Sequence, residues 1–337
     1  MFSIQRDYLY LDARLKGNTV ISLQSINSKI LSRQSGVSMV ELLVAMLLGL
    51  FLLYALVEIL INGKQSFGSA SHLSRLQENG RIATNLVVSD LKRAGYMGGN
   101  SDIPNIFGSE GQAAPAMTCA TGDTTWARMI TQGVAGIDDS NAGYAACIPD
   151  ATYLRGDVLV IRHASPWLTG AFNANKVYLR SSLFEGRIFA GSNEALGTNL
   201  VADLPQSTRE LLAFAYFVGD SGRTCRGQAV PSLFRVSLDD DSQPVVNELL
   251  PGVEDFQVQY GIEVDVGGVS NAEYVDADVV DWDNDNVVTA RIWLLVRAEC
   301  AETGFTDGNT YTYGDQVLTP NDNYRRQLYS SVAMIRN

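Results

Sequence analysis

Hydrophobic positions fall along this chain with three different periods. Between positions 42 and 57 no side chain is charged, and Leu, Val, Met and Phe dominate. The apolar stretch runs over 37–61 if Glu41 and Glu58 are admitted. At about 1.5 Å per residue, a helix of that length crosses a bilayer core of roughly 30 Å. Beyond it the period becomes helical. Leu73, Leu76, Gly80, Ala83, Val87, Leu91 and Ala94 recur every three or four positions, with Arg75, Glu78, Asn79, Thr84, Asn85 and Lys92 opposite. No proline interrupts 37–94, which predicts one continuous helix. Lys92 and Arg93 are expected in its last turn and Gly95 as its cap, with bends or loosening at Gly49, Gly63 and Gly68.

From there the period drops to two. Leu212-x-Phe214-x-Tyr216 and Phe256-x-Val258-x-Tyr260-x-Ile262 alternate cleanly. Strands are predicted over 157–162, 176–179, 211–218, 233–238, 253–262, 287–297 and 327–335. The elements together predict an α+β fold, a long amino-terminal helix packed on an antiparallel β-sheet.

Charge sharpens this division. The first 36 residues carry five basic and two acidic side chains, and the remaining ones carry 20 and 35, giving +3 and −15 within a total of −12. An acidic body opposes general affinity for nucleic acid or anionic membrane and leaves room only for a local basic patch. Lys29 and Arg33 place the near side of the apolar helix in the cytoplasm and the body outside. Cys119, Cys147, Cys225 and Cys300 form no C-x-x-C pair. In an exported body they read as two disulfides, with Cys119–Cys147 and Cys225–Cys300 favoured among the three connectivities.

The boundary of the apolar run carries the most specific signal. An ordinary signal peptide places its small residue after the apolar region. Here Gly36 stands before it, so cleavage after Gly36 leaves the helix on the mature chain. A plain signal anchor needs no carboxylate inside, yet Glu41 lies there, and an acid in a membrane helix is costly and usually functional. Cleavage would make Val37 a free amine, with Glu41 one turn inside and able to neutralise the amine of a neighbouring subunit.

Residues 33–42 (RQSGVSMVEL) resemble the prepilin-type cleavage and methylation motif. The resemblance implies that a prepilin peptidase cuts between Gly36 and Val37 and methylates the new amine, and that Glu41 supports subunit docking. Val37 departs from the phenylalanine or methionine commoner there. Leaders of this family are usually short, so translation starting near Val20 or Leu31 is one expectation. Residues 73–81 (LSRLQENGR), 90–97 (DLKRAGYM), 252–261 (GVEDFQVQYG), 290–297 (ARIWLLVR) and 325–337 resemble the PilW-type minor pilins. The organisation implied is a leader over 1–36, a transmembrane half-helix over 37–62, an amphipathic half-helix over 63–95 and a β-rich periplasmic or extracellular domain over 96–337. The implied role is a minor pilin that joins other minor pilins and the major pilin to initiate or cap a type IV pilus. Before assembly it sits in the inner membrane, and afterwards at the pilus, at its tip. A minor pseudopilin of a type II secretion system shares the leader, helix and roll. A tip adhesin or DNA-uptake subunit would need an exposed basic or aromatic patch within 98–250.

Chemistry is sparse. The chain has two histidines, His72 and His163, and no Walker A, Rossmann or H-E-x-x-H motif, so no enzyme and no cofactor are expected. The candidate metal site is for calcium: Asp281, Asp283 and Asp285 match the first three ligand positions of a calcium loop, and Asp276 and Asp278 could supply oxygens from upstream. The match then fails, because Asn286 replaces the turn glycine and Ile292 the bidentate glutamate.

Overall fold

The computed structural model describes residues 36–100, 103–108, 119, 125–198 and 205–335. The leader, with Val20, Lys29, Leu31 and Arg33, lies outside the described residues. Two compact units divide between Ile61 and Asn62.

A single helix, α1, covers Met39–Leu91 and runs without a break through Gly49, Gly63 and Gly68. Their lack of a side chain costs helix stability but does not interrupt the hydrogen bonds. Up to Ile61 its large apolar side chains are all exposed, and the helix is long and apolar enough to cross a membrane. The regular helix stops at Leu91, three residues short of the expected Ala94. Lys92 and Arg93 therefore lie in the turn that follows it. The Ala94 N–H is shared between the Asp90 and Leu91 carbonyls at 3.1 Å each, a tightening common at helix ends.

The body is built on β-strands. In chain order these are β1 (Ile106–Phe107), β2 (Val134–Ile137), β3 (Tyr153–Ala164), β4 (Val177–Ser181), β5 (Gly186–Ala190), β6 (Ser207–Cys225) and β7 (Gln228–Leu238). They continue as β8 (Pro244–Pro251), β9 (Val253–Val266), β10 (Val269–Val275), β11 (Val287–Arg297), β12 (Tyr311–Tyr313), β13 (Gln316–Leu318) and β14 (Arg326–Met334). A four-residue helix, α2 (Thr125–Arg128), precedes β2. All seven strands read from the sequence fall on observed ones.

The antiparallel β-rich body expected from the sequence is present, divided among three sheets. Strands β1–β8 form an eight-stranded sheet, β10-β9-β11-β14 form a second, and β12 pairs with β13. The long β6 joins the first sheet together: its start pairs with β4, its middle with β3 and its far half with β7. β1 and β5 pair in parallel, and the other ladders are antiparallel.

Strand alternation creates two cores. On one face of the first sheet Leu159, Ile161, Tyr216, Val218 and Leu233 join Val253, Phe256, Val258, Tyr260, Ala290, Ile292, Leu294 and Val296 of the second sheet. Leu76, Ala83, Val87, Leu91 and Ala94 close this core, so the expected stripe is its lid. Leu73 is the exception and stays exposed. Each buried Leu or Val contributes about 1.5–3 kcal/mol. The opposite face of the first sheet carries Val158, Val160, Ala213, Ala215, Phe217 and Val236 into a second core with Met97, Trp126, Ile130 and Tyr144. Two disulfides close the fold, Cys119–Cys147 and Cys225–Cys300, with Cα–Cα distances of 5.8 and 5.3 Å.

Candidate functional site: the processing boundary and the seat of the helix

At the amino-terminal boundary Gly36, Val37 and Ser38 are exposed and precede the first helical residue. Ser38 caps α1: its Oγ accepts the Val40 N–H at 3.3 Å, and its carbonyl accepts the Leu42 N–H at 3.0 Å. Glu41 falls three residues after the cap, in the first turn, where a negative charge suits the helix dipole. This local order explains the spacing Ser38-x-x-Glu41 by helix chemistry, independently of any partner.

The other half of the helix is seated by four contacts, each with at least one residue in the segments quoted above. Nearest its start, Ser69 donates from Oγ to Glu302, which Arg325 holds at 2.6 Å. Next, Tyr329 of β14 packs its ring against Gly80 and donates to the Leu76 carbonyl at 3.3 Å. A Cβ at position 80 would sit 2.0 Å from the Tyr329 ring, so only glycine lets the two approach. One residue earlier, Asn79 Nδ2 donates to the Pro251 carbonyl at 3.0 Å.

The fourth contact is charged. Asp90, buried in the last turn, accepts the Tyr216 hydroxyl and the Arg93 guanidinium at 3.1 Å, and Arg235 of β7 stands 3.6 Å away. Burial first, and then the Asp90 charge, push the Tyr216 hydroxyl far above its ordinary value, so it stays a donor. The chain then leaves the helix through Gly95 at φ 73°, whose N–H donates to the Arg162 carbonyl at 3.0 Å. Gly95 and Gly133 pack backbone to backbone: a Cβ on Gly133 would lie 2.8 Å from the Gly95 Cα. The segment 90–97 is thus a docking turn, with an acid, a basic partner and a glycine in a fixed order.

The carboxy-terminal segments form the floor. Gly252 turns at φ 85°, and a Cβ there would meet the Arg297 carbonyl at 2.6 Å. Behind it Arg326, its side chain almost fully buried, binds Glu254 through both carboxylate oxygens at 2.5 and 3.0 Å and Asp322 at 2.6 Å. These anions hold the Arg326 proton far more tightly than usual against the opposing pull of burial. Residues 325–337 therefore owe their basic start to a bidentate clamp across the second sheet.

Several polar positions of the body had no signal in the sequence. Arg162 is fully buried. It donates to the Trp126 and Gln132 carbonyls at 2.7 and 2.9 Å and to Tyr144 at 3.3 Å, and burial lowers its proton affinity. It stands among apolar positions of β3, and nothing local announces its partners. Asp157 accepts the Asp139 and Val258 N–H groups at 3.0 and 2.6 Å. Burial, with Asp138 and Asp139 nearby, still pushes its carboxyl up to about 8. Burial and the neighbouring Asp139 and Asp315 raise Asp138 to about 6.

Asp281, Asp283 and Asp285 share one loop, in which the Asp281 and Asp285 carboxylates accept bonds from the loop itself. Asp285 accepts the Asp281 N–H at 2.8 Å, while Asp281 accepts Asn284 Nδ2 at 2.8 Å and the Asp283 N–H at 3.2 Å. Those bonds hold the Asp281 carboxyl below its usual range. Among the described residues, the three carboxylates whose oxygens converge within 4.8 Å are Asp138, Asp139 and Asp315 instead. His163 is buried edge-on against Phe214, its Nδ1 2.8 Å from the Ala164 carbonyl, and burial lowers its affinity for a proton.

Comparison with known proteins adds one family and one structure. Residues 215–337 match the family described as Type IV Pilus-assembly protein W, PilW. The resemblance to PilW-type pilins read from the sequence is borne out over that part, which holds most of β6 and all later strands. No curated protein matches the chain. Among solved structures, the type IV-like pilin TTHA1219 from Thermus thermophilus aligns with 14% identity and a TM-score of 0.32, covering 77% of this chain and 96% of that one.

Proposed function

We propose that this PilW-type chain is a minor pilin that helps initiate or cap a type IV pilus. The observation that carries the reading is positional. The PilW match over 215–337 supplies β9, β11 and β14, whose inner faces form one core with the stripe of α1. The matched region is thus what receives the amphipathic half of a pilin-like helix. In this reading a prepilin peptidase cuts between Gly36 and Val37, and Val37 becomes the methylated amine. Apolar positions 37–61 hold the chain in the inner membrane with the body in the periplasm. Glu41 neutralises the amine of an adjacent subunit, either another minor pilin or the major pilin. The subunit then takes its place at the pilus, at the tip, in a structural and not an enzymatic role. The PilW match also favours the pilus over a type II secretion system.

Clean deletion of the gene tests this. Surface pili should fall sharply while the major subunit persists in the membrane, and normal pili and motility would overturn the priming role. Gly36→Val should leave only the uncleaved precursor on an immunoblot. Glu41→Ala should be cleaved normally yet be depleted from sheared filaments.

A further inference from the structure

On one face of the first sheet the acidic body carries two arginines side by side. In register across β1, β5, β4 and β6 stand Phe107, Arg187, Arg180 and Thr208. Arg180 and Arg187 are direct cross-strand partners, so two guanidiniums face one another on one surface. Like charges in that arrangement are unfavourable. Among the described residues neither is ion-paired with a carboxylate. Arg180 donates to Thr208 Oγ1 at 2.8 Å and lies over Phe189 at 5.5 Å, and Arg187 lies over Phe107 at 5.6 Å. The nearby Glu210 is taken by Lys176 at 3.0 Å. This face is built to meet an anion.

Beside it two apolar tips project. The β4–β5 turn presents Leu183 and Phe184, 73% and 66% exposed, and the loop after β3 presents Trp167 and Leu168, 79% and 67% exposed. Both border the start of β6: Ser181 pairs with Ser207 on one side, and the Thr169 N–H donates to the Thr208 carbonyl at 2.9 Å on the other. Two strand spacings separate the tips, about 10 Å. Neither is loose. Ser182 closes the turn with its N–H on the Glu185 carbonyl at 2.8 Å, and Arg209 clamps the loop through the Ser165 and Pro166 carbonyls at 3.1 and 2.5 Å. Four large apolar side chains are thus held in water by rigid backbone, next to two unpaired cations.

We propose that this edge is a contact for a lipid surface: Trp167, Leu168, Leu183 and Phe184 enter the interface of a bilayer whose anionic headgroups meet Arg180 and Arg187. Tryptophan suits the headgroup level, and arginine binds phosphate oxygens in a fork. A single-stranded nucleic acid would satisfy the arginines and stack on the aromatics but leave Leu168 and Leu183 in water. The contact is separate from the helix at 37–61 and does not depend on the priming role.

The test uses the full chain held in phosphatidylcholine nanodiscs, so that its own apolar helix is already satisfied. It is mixed with vesicles of phosphatidylglycerol and phosphatidylcholine, with vesicles of phosphatidylcholine alone, or with oligothymidylate. Flotation with the anionic vesicles only is expected, with a blue shift of tryptophan emission that Trp167→Phe largely removes. Arg180→Gln with Arg187→Gln should weaken vesicle binding about 25-fold, at roughly fivefold per arginine. Leu183→Ser with Phe184→Ser should weaken it too, and unchanged melting of each variant shows that the fold is kept. Equal flotation of the arginine variant, no preference for anionic vesicles, or binding of oligothymidylate without vesicles would overturn the lipid assignment.

Discussion

The two halves of α1 have the same backbone and opposite surroundings. Up to Ile61 leucines, valines and phenylalanines point outward all round, and Ser38 and Glu41 order its first turn. From Asn62 onward the same helix is mostly polar outside one stripe, with Phe67 and Ile82 exposed, and Leu76, Gly80, Ala83, Val87 and Leu91 of that stripe are buried. A helix apolar on every side needs an apolar solvent, whereas one apolar on a single side needs a protein surface. The second half accordingly has specific neighbours: Tyr329 over Gly80, Pro251 beside Asn79 and Tyr216 on Asp90. Among the described residues the first half has no contact of that kind to lose, so its tolerance is set by hydropathy and not by shape.

That contrast can be broken from either side. The largest effect is expected from Leu50→Arg, near the middle of the apolar run. It should cost about 3–4 kcal/mol of membrane insertion, read as a shift from membrane to soluble fractions, with the body's disulfides still formed. Asp90→Ala should act on the other half alone. Leaving the buried Tyr216 hydroxyl without its acceptor and Arg235 without its anion should cost about 3 kcal/mol in urea unfolding, with membrane fractionation unchanged. Gly80→Val should follow at about 2 kcal/mol, because the Tyr329 ring must move, and Ala at the exposed Gly63 should have no such effect. The smallest is a pH dependence confined to the body. With Asp157 raised to about 8 and Asp138 to about 6, the folded body holds protons that the unfolded chain, ionising near pH 4, has released. Their contribution is complete below about pH 4 and is lost as pH rises through about 6 and then about 8. The melting temperature should therefore decline from about pH 5 to about pH 9, and Asp157→Asn should flatten the upper part of the decline.

Much of the architecture was readable because it is periodic. The alternation over 253–262 put Phe256, Val258 and Tyr260 on one face, and all three are buried beneath the helix. Strand β8 was not among the expected strands; it begins and ends on proline and pairs only with β7, and an edge strand tolerates proline. The division into separate sheets left no trace in the sequence for a related reason. β3 is buried on both faces from Gly156 to Ala164, so its pattern shows no preferred side and does not reveal that each face belongs to a different core.

By itself the sequence determined the apolar helix, the place of Glu41 in its first turn, the helical stripe and seven strands. These follow from transfer free energy and backbone period, which act over a few neighbouring residues. Tertiary structure decided that two sheets share the helix, that Asp90 meets Tyr216 across 126 positions, and that Arg326 meets Glu254 across 72. It also set Arg180 against Arg187 and two apolar tips beside them. Such pairings depend on which strands lie side by side, and strand order leaves no local trace because any alternating strand can pair with any other.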